Sequence, residues 1–164
     1  MAGLRALPDS MPTQVLTCVI GGECYGIDLR YVRGIDTPPQ LTRVPGTPPV
    51  IQGVYLRQGA LMVAVDPRVL LGLPQQQVDE PHYLVVAAGD LEAALLIDAV
   101  LEVIDLAPEL VHDLPAALGD SRIVTGRAAI ESGAVLILDI PALLDAIVRT
   151  HDESGHHAGL VPEP

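Results

Sequence analysis

The sequence predicts an all-β fold in which one domain is made of two similar halves. Short apolar runs recur along the chain and are separated by turn dipeptides such as Gly21-Gly22, Gln58-Gly59 and Gly89-Asp90. This pattern is typical of β sandwiches and small barrels. The stretch from Gly53 to Leu71 also returns after a shift of 73 residues, from position 53 to position 126. We therefore expect two small barrels that share one core.

The repeat consists of matching residue types at equivalent positions. The matched pairs are Gly53 and Gly126, Val63 and Leu136, Val65 and Leu138, Asp66 and Asp139, Leu70 and Leu143, and Leu71 and Leu144. The turn glycine moves by one residue, from Gly59 to Gly133, which a hairpin loop tolerates. A weaker match links residues 23–28 with residues 92–98, and each of these segments follows a turn.

The composition limits the core and the classes of partner. A chain of 164 residues buries roughly 70% of its unfolded surface in one domain, and without Phe or Trp its core must be Val, Leu, Ile and Ala. A net charge of −12, with no Lys and nine scattered arginines, argues against nucleic acid and against an anionic membrane surface. No apolar run approaches the roughly 18 residues of a spanning helix. We expect a cytoplasmic protein without a signal peptide or membrane insertion.

The predicted strands pair into four hairpins within one domain, residues 12–150. A lead-in without periodicity, residues 1–11, precedes them. The hairpins cover residues 16–28, 50–65, 82–104 and 123–138. Between the first two, the proline-rich segment 37–49 is held out of any central ladder position. Residues 105–118 are expected to form a loop with a helical turn after Pro108.

Aspartates mark the start of each predicted helical segment. Asp28 is expected to cap a helical turn that spans residues 29–35, and Asp66 a short helix that ends at Gly72. Asp139 begins the longest predicted helix. One stripe of this helix carries Leu143, Leu144, Ile147 and Val148. The tail, residues 151–164, is polar and expected to be disordered.

The two cysteines are not expected to form a disulfide. With Gly21-Gly22 as a two-residue turn, Cys18 faces Tyr25 and Cys24 faces Val19 across the ladder. The two sulfur atoms then point to opposite faces of the hairpin. Both cysteines are therefore predicted to be reduced.

The chemistry-bearing residues argue against an enzyme. The absence of Lys excludes a P-loop and a Schiff base, and no serine lies in a nucleophile elbow. Asp66, Asp98 and Asp139 each end an apolar strand, but capping or turn formation explains them better than a metal site. Among residues 151–157 the histidines and carboxylates lack the spacing of a closed metal site. We expect no catalysis, cofactor or metal.

Four apolar residues occupy similar places in the two halves. Val32 and Ile35 follow Asp28, and Val100 and Val103 follow Asp98. One interpretation makes all four core residues. The other makes them the lining of a groove for an amphipathic helix, where apolar anchors supply most of the affinity. The pattern alone leaves both interpretations open.

Over residues 13–150 the chain resembles the CheW family of chemotaxis coupling proteins. The segments that carry the resemblance are Ile20–Asp28, Leu41–Pro48, Ile51–Val54, Val65–Asp66, Leu96–Val103 and Val135–Asp139. The resemblance implies two intertwined five-stranded, SH3-like barrels and no catalysis. It also implies a scaffold that joins the cytoplasmic helical hairpin of a chemoreceptor to the regulatory domain of a CheA-type histidine kinase. The matching receptor-groove positions are Val32, Ile35, Val100 and Val103.

Two short segments depart from the family pattern. The family's Asn-Leu-Arg-Gly aligns with 56–59, so Gln58 stands in place of its arginine and Arg57 lies on the other face of the strand. The family's Val-x-Glu-Ile aligns with 32–35, so Gly34 stands in place of its glutamate. An Arg and a Glu that could pair are thus both absent, a double loss that the fold should tolerate.

Three hypotheses follow for the function. The first is a CheW-like adaptor in two-component chemotaxis signalling, which binds a receptor helix in the groove and a kinase domain at a barrel edge. The second is a divergent scaffold of the same fold for another complex, such as pilus motility or protein localisation, without kinase coupling; Gln58 and Gly34 support it. The third, a small enzyme or carboxylate-metal protein, rests only on the aspartates.

Overall fold

The computed structural model describes residues 14–38, 40–114 and 123–158, with side chains up to residue 150. The predicted lead-in and the end of the tail lie outside these ranges. The strands are β1 (Gln14–Ile20), β2 (Glu23–Asp28), β3 (Val32–Asp36), β4 (Ile51–Arg57), β5 (Ala60–Val65), β6 (His82–Ala88), β7 (Leu91–Ile97), β8 (Ala99–Asp105), β9 (Val111–His112), β10 (Val124–Ile130) and β11 (Gly133–Leu138). The α-helices are α1 (Arg68–Leu71) and α2 (Ile140–Ala158).

The strands form two sheets whose orders correspond. The first sheet has the order β8-β1-β2-β11-β10-β9 and the second β3-β6-β7-β5-β4. Hairpin β1-β2 thus takes the place that β6-β7 takes in the other sheet, and β8 the place of β3. Each sheet takes one hairpin from the opposite half of the chain, joined by the parallel pairs β2 with β11 and β5 with β7. The predicted all-β fold of two intertwined halves is confirmed, and β9 adds a short sixth strand to the first sheet.

One central core lies between the two sheets, and each barrel has a smaller apolar interior of its own. The central core contains completely buried residues from both sheets, including Ile27 and Leu84, and the buried Leu143 of α2. Tyr55 and Tyr83 belong to the interior of the second barrel, and Val15 to that of the first. Aliphatic side chains thus dominate the interior, as the composition predicts.

The predicted third hairpin is wrong in its second arm, because the chain changes sheet at Asp98. Strand β7 pairs with β6, whereas β8 pairs with β1 in the other sheet. The Asp98 backbone N–H donates to the Val19 carbonyl at 2.8 Å, and its carboxylate accepts from the Gly21 N–H at 2.8 Å. These bonds fix the crossing between the barrels. The sequence marks Asp98 as the end of an apolar strand but does not show that the next strand joins the other sheet.

Three other elements differ from the prediction. After a 3₁₀ turn at Leu29–Tyr31, Val32 and Ile35 lie on strand β3 and not on a helical turn, as the β-branched residues there favour. Strand β9 lies in the predicted loop 105–118. Helix α2 continues beyond the predicted end at Thr150 to Ala158, because no proline follows Pro141 before position 162. The expectation of a disordered tail from residue 151 is therefore wrong for residues 151–158. Its predicted apolar stripe is buried except for Val148, which is 37% exposed.

The cysteines lie as predicted, Cys18 opposite Tyr25 and Cys24 opposite Val19, and both are free thiols. Burial is the main cause that raises the pKa of the Cys18 thiol to about 12. Burial likewise raises the pKa of the Tyr25 hydroxyl to about 12. Cys18 is therefore an inert core thiol at neutral pH.

We expect the free energy of unfolding to fall as the pH rises above about 9. In the unfolded chain Cys18 and Tyr25 ionise near their ordinary pKa values of 9.0 and 10.0, whereas the folded chain holds both protons until about pH 12. The unfolded state then binds fewer protons, so stability decreases with pH. Urea unfolding at about pH 8 and about pH 10.5 measures the decrease, and Cys18→Ala should reduce it. An unchanged free energy across this window would contradict the buried, protonated state.

Candidate protein-binding groove

Val32 and Ile35 lie on the same face of the edge strand β3. Opposite them on β6 stand Val86 and Leu84, both of which belong to the central core. A register shift between Val32 and Gly34 places an extra residue in the strand. Such a bulge lets two residues three positions apart share a face. Both side chains therefore lie on the face of β3 that borders the central core.

Strand β8 repeats this arrangement at the edge of the other sheet. Val100 lies opposite Cys18 and Val103 opposite Leu16, again across a register shift. The bulge is stabilised by Thr17, a buried residue whose hydroxyl donates to the Glu102 carbonyl at 2.8 Å and accepts from the Glu102 N–H at 3.1 Å. Two bulged edge strands thus present equivalent pairs of apolar residues.

The structure divides the four residues between the two interpretations left open by the sequence. Val32 and Val100 are partly buried and pack against the same central core. Ile35 and Val103 are each 46% exposed. Each edge strand thus has one anchored and one exposed apolar residue. We call these four residues the edge-strand pairs.

The inner face of β4 carries an ion pair that the sequence did not predict. Arg57 Nε donates to Asp36 Oδ2 at 2.9 Å, and the Tyr55 hydroxyl donates to the same oxygen at 2.7 Å. Burial and this hydrogen bond raise the pKa of Tyr55. Gly34 is so close that a Cβ atom there would lie 2.7 Å from Arg57 Nη2. The chain lacks the Arg and Glu of the family pattern at positions 58 and 34, but it has another ion pair, Arg57 with Asp36.

Gln58 lies in the turn of the second hairpin, with a positive φ of 54° ahead of Gly59 at 84°. These angles are those of a type I′ turn, which strongly favours Asn or Gly at its first central position. We expect Gln58→Asn to raise the free energy of unfolding by about 0.5–1 kcal/mol, measured by urea unfolding. Gln14→Asn, on an ordinary β-strand backbone, is the control and should not raise it. A decrease on Gln58→Asn would contradict the strained turn.

A buried charge network lies where the two halves meet. Arg68 and Asp66 are each 2% exposed. The Asp66 carboxylate accepts from Arg68 Nε and from the Arg68 backbone N–H, both at 3.0 Å. Arg68 Nη1 also lies 3.9 Å from Asp98 Oδ1. Asp66 therefore accepts a backbone hydrogen bond at the start of α1, although Pro67 is the N-cap residue, and also holds a buried arginine. The sequence feature that could have indicated this network is Arg68 itself, directly after Asp66-Pro67, because the second copy of the repeat has no arginine at the equivalent position.

The outer face of hairpin β4-β5 is apolar and exposed. Leu56 and Leu61 face each other across the ladder and are 69% and 67% exposed. Val54 and Val63 form the next pair on this face. The sequence signal was a leucine at position 56, between inward-facing Tyr55 and Arg57. We call these four residues the hairpin face.

Within the side chains that the structure describes, no group of His, Cys, Asp and Glu could hold a metal ion. The predicted weak chelators of residues 151–157 lie outside that set. In the described part of the chain, no helix is long and apolar enough to cross a membrane.

The family model for a CheW-like domain matches residues 14–148. The chain belongs to the CheW family. It is 28% identical to the chemotaxis protein CheW of Klebsiella aerogenes over an alignment of 166 positions, which covers 92% of this chain and 100% of the relative. It is 30% identical to the chemotaxis protein CheW of Helicobacter pylori over 125 residues, 76% of each chain.

The CheW fold is also shown by a solved structure. The scaffolding protein TtCheW of Thermoanaerobacter tengcongensis superposes with a TM-score of 0.70 at 23% identity, over 79% of this chain and 90% of that one. The resemblance deduced from the sequence is therefore confirmed at the level of family and fold.

Proposed function

We propose that this chain is a non-enzymatic cytoplasmic adaptor that couples a chemoreceptor to a CheA-type histidine kinase. The observation that carries the proposal is the pair of equivalent edge strands, each with one apolar residue packed against the central core and one exposed. CheW relatives named as chemotaxis proteins support the same role. No cofactor enters this function.

The edge-strand pairs fit a helical partner. Each strand offers an exposed anchor, Ile35 or Val103, and a partly buried residue behind it. An amphipathic helix presents apolar side chains along one stripe, and such a stripe is what a groove with apolar walls binds. The proposed partner is the cytoplasmic helical hairpin of a chemoreceptor. The bulges in β3 and β8 are then functional, since without them the paired residues would not share a face.

The hairpin face is the proposed contact for the regulatory domain of the kinase. Leu56 and Leu61 are the most exposed large apolar residues of the described chain, and they face each other on one hairpin. An apolar centre with a polar rim is typical of a protein interface. This face lies at an edge of the second barrel, since β4 ends its sheet. Leu56 points away from the face of β4 whose Arg57 contacts β3, so we propose that a second partner can bind the edge-strand pairs at the same time.

A pull-down with the regulatory domain of the CheA-type kinase from the same cell tests the kinase part of the proposal. We expect retention of that domain by the wild-type chain and reduced retention by Leu56→Ser/Leu61→Ser. The control is Leu110→Ser, the same type of substitution at a residue that is 48% exposed and lies outside the hairpin face. Equal retention by all three proteins would place the contact elsewhere.

The second candidate function is a CheW-type scaffold that serves another complex without a kinase. Gly34 and Gln58, which replace a glutamate and an arginine of the family pattern, favour it. This scaffold would bind a helical partner normally and would not retain the kinase domain. The pull-down therefore separates the two candidates.

A further inference from the structure

We propose that Arg57 is a positioning residue that fixes the edge strand β3, and with it Val32 and Ile35, through Asp36 and the space left by Gly34. The inference rests on the proposed binding of a helix at the edge-strand pairs. It assigns a new role to a residue within the altered family motif, residues 56–59.

The first observation is that side chains join the two end strands of the second sheet. β3 and β4 stand at opposite ends of the order β3-β6-β7-β5-β4. Asp36 on β3 nevertheless accepts hydrogen bonds from Tyr55 and Arg57 on β4, at 2.7 and 2.9 Å. Arg57 and Asp36 are about four-fifths buried, with side-chain exposures of 20% and 22%. This contact is the second attachment of a strand that pairs with β6 alone.

The second observation is that the other barrel closes without charges at the equivalent places. In the 73-residue repeat, Ile130 corresponds to Arg57. In the alignment of the edge strands β3 and β8, Ile104 corresponds to Asp36. Ile104 and Ile130 both pack against the apolar interior of the first barrel. The fold therefore does not require an ion pair here, and the polar closure is a particular feature of the barrel that carries β3.

The third observation is the position of the contact relative to the binding residues. Gly34 and Asp36 stand opposite Val85 and Tyr83, whereas Ile35 stands opposite Leu84 on the other face. The guanidinium of Arg57 lies over Gly34, since a Cβ there would be 2.7 Å from Nη2 and 3.8 Å from Cζ. Arg57 therefore supports β3 from the inside, directly behind Ile35.

Two variants and a control test the role. Arg57→Gln removes the charge, and Gly34→Ala introduces a methyl group where the guanidinium lies. Ala is at least as favourable as Gly in a strand interior. Faster exchange or weaker binding in Gly34→Ala therefore cannot come from lower strand propensity. Arg149→Gln removes the exposed ion pair with Asp145, 3.5 Å long on helix α2, and is the matched control.

The readouts are amide hydrogen exchange in β3 and β8 and binding of a recombinant fragment of a chemoreceptor's cytoplasmic hairpin. We expect Arg57→Gln and Gly34→Ala to speed exchange in β3 but not in β8 and to weaken binding about 3- to 10-fold. The control should change neither. Unchanged exchange in β3, or equal acceleration in β3 and β8, would overturn the inference. If the wild-type chain does not bind the fragment, the proposed receptor contact fails, and the exchange comparison alone decides the role of Arg57.

Discussion

Ile35→Asp and Val103→Asp are each expected to weaken binding of a chemoreceptor hairpin by at least about tenfold, or more than about 1.4 kcal/mol. A carboxylate at an apolar contact must lose its hydration without gaining a partner when a helix covers it. Both residues are 46% exposed, so the substitutions should leave the fold intact. Isothermal titration with the fragment measures the affinity.

The choice of these two positions follows from the structure. Val100 and Val32 pack against the central core, so an aspartate at either would disturb folding and binding together. Leu101→Asp is the matched control, since Leu101 is 52% exposed on β8 and points to the face opposite its neighbour Val100. Equal loss on Leu101→Asp and Val103→Asp, or no loss on Ile35→Asp, would contradict the placement of the groove.

Asp66→Ala is expected to lower the free energy of unfolding by about 3–5 kcal/mol. The substitution removes the carboxylate that holds Arg68, whose side chain is 2% exposed. It leaves a buried charge whose other ion-pair partner among the described residues is Asp98, at 3.9 Å. Breaking one member of a buried pair costs more than the pair contributes. Urea unfolding followed by circular dichroism measures the change.

The repeat provides the control for this prediction. Asp139 occupies the equivalent position, but its carboxylate accepts only a capping hydrogen bond from the Ala142 N–H at 3.0 Å among the described contacts. Asp139→Ala should therefore lower the free energy of unfolding by about 1 kcal/mol, the usual value for a lost cap. Equal costs at the two positions would mean that Arg68 does not depend on Asp66.

The sequence predicted the architecture because the fold is encoded locally. Turn dipeptides and alternating apolar residues define each hairpin, and the repeat pairs the halves. The register of Cys18 with Tyr25 followed from the turn alone. The change of sheet at Asp98 was not predictable, because a strand that ends at an aspartate looks the same whether the next strand stays in that sheet or joins another.

The sequence singled out the four candidate residues but not their geometry, and their role in binding stays a prediction. The sequence picked Val32, Ile35, Val100 and Val103, but only the bulges of β3 and β8 explain why residues three positions apart share a face. Arg57 was placed on the other face of its strand from Gln58, but its contact with Asp36 is long-range and carries no sequence signal. The buried Arg68 was missed although its contact with Asp66 is local, because capping alone was taken to explain the aspartate before a proline.

Simultaneous binding of both proposed partners tests the coupling role most directly. The chemoreceptor hairpin fragment is immobilised, and retention of the kinase regulatory domain is measured in the presence and in the absence of the chain. We predict retention only when the chain is present, and its loss with Ile35→Asp. Displacement of the chain by the kinase domain, or no retention although the chain is bound, would contradict the account.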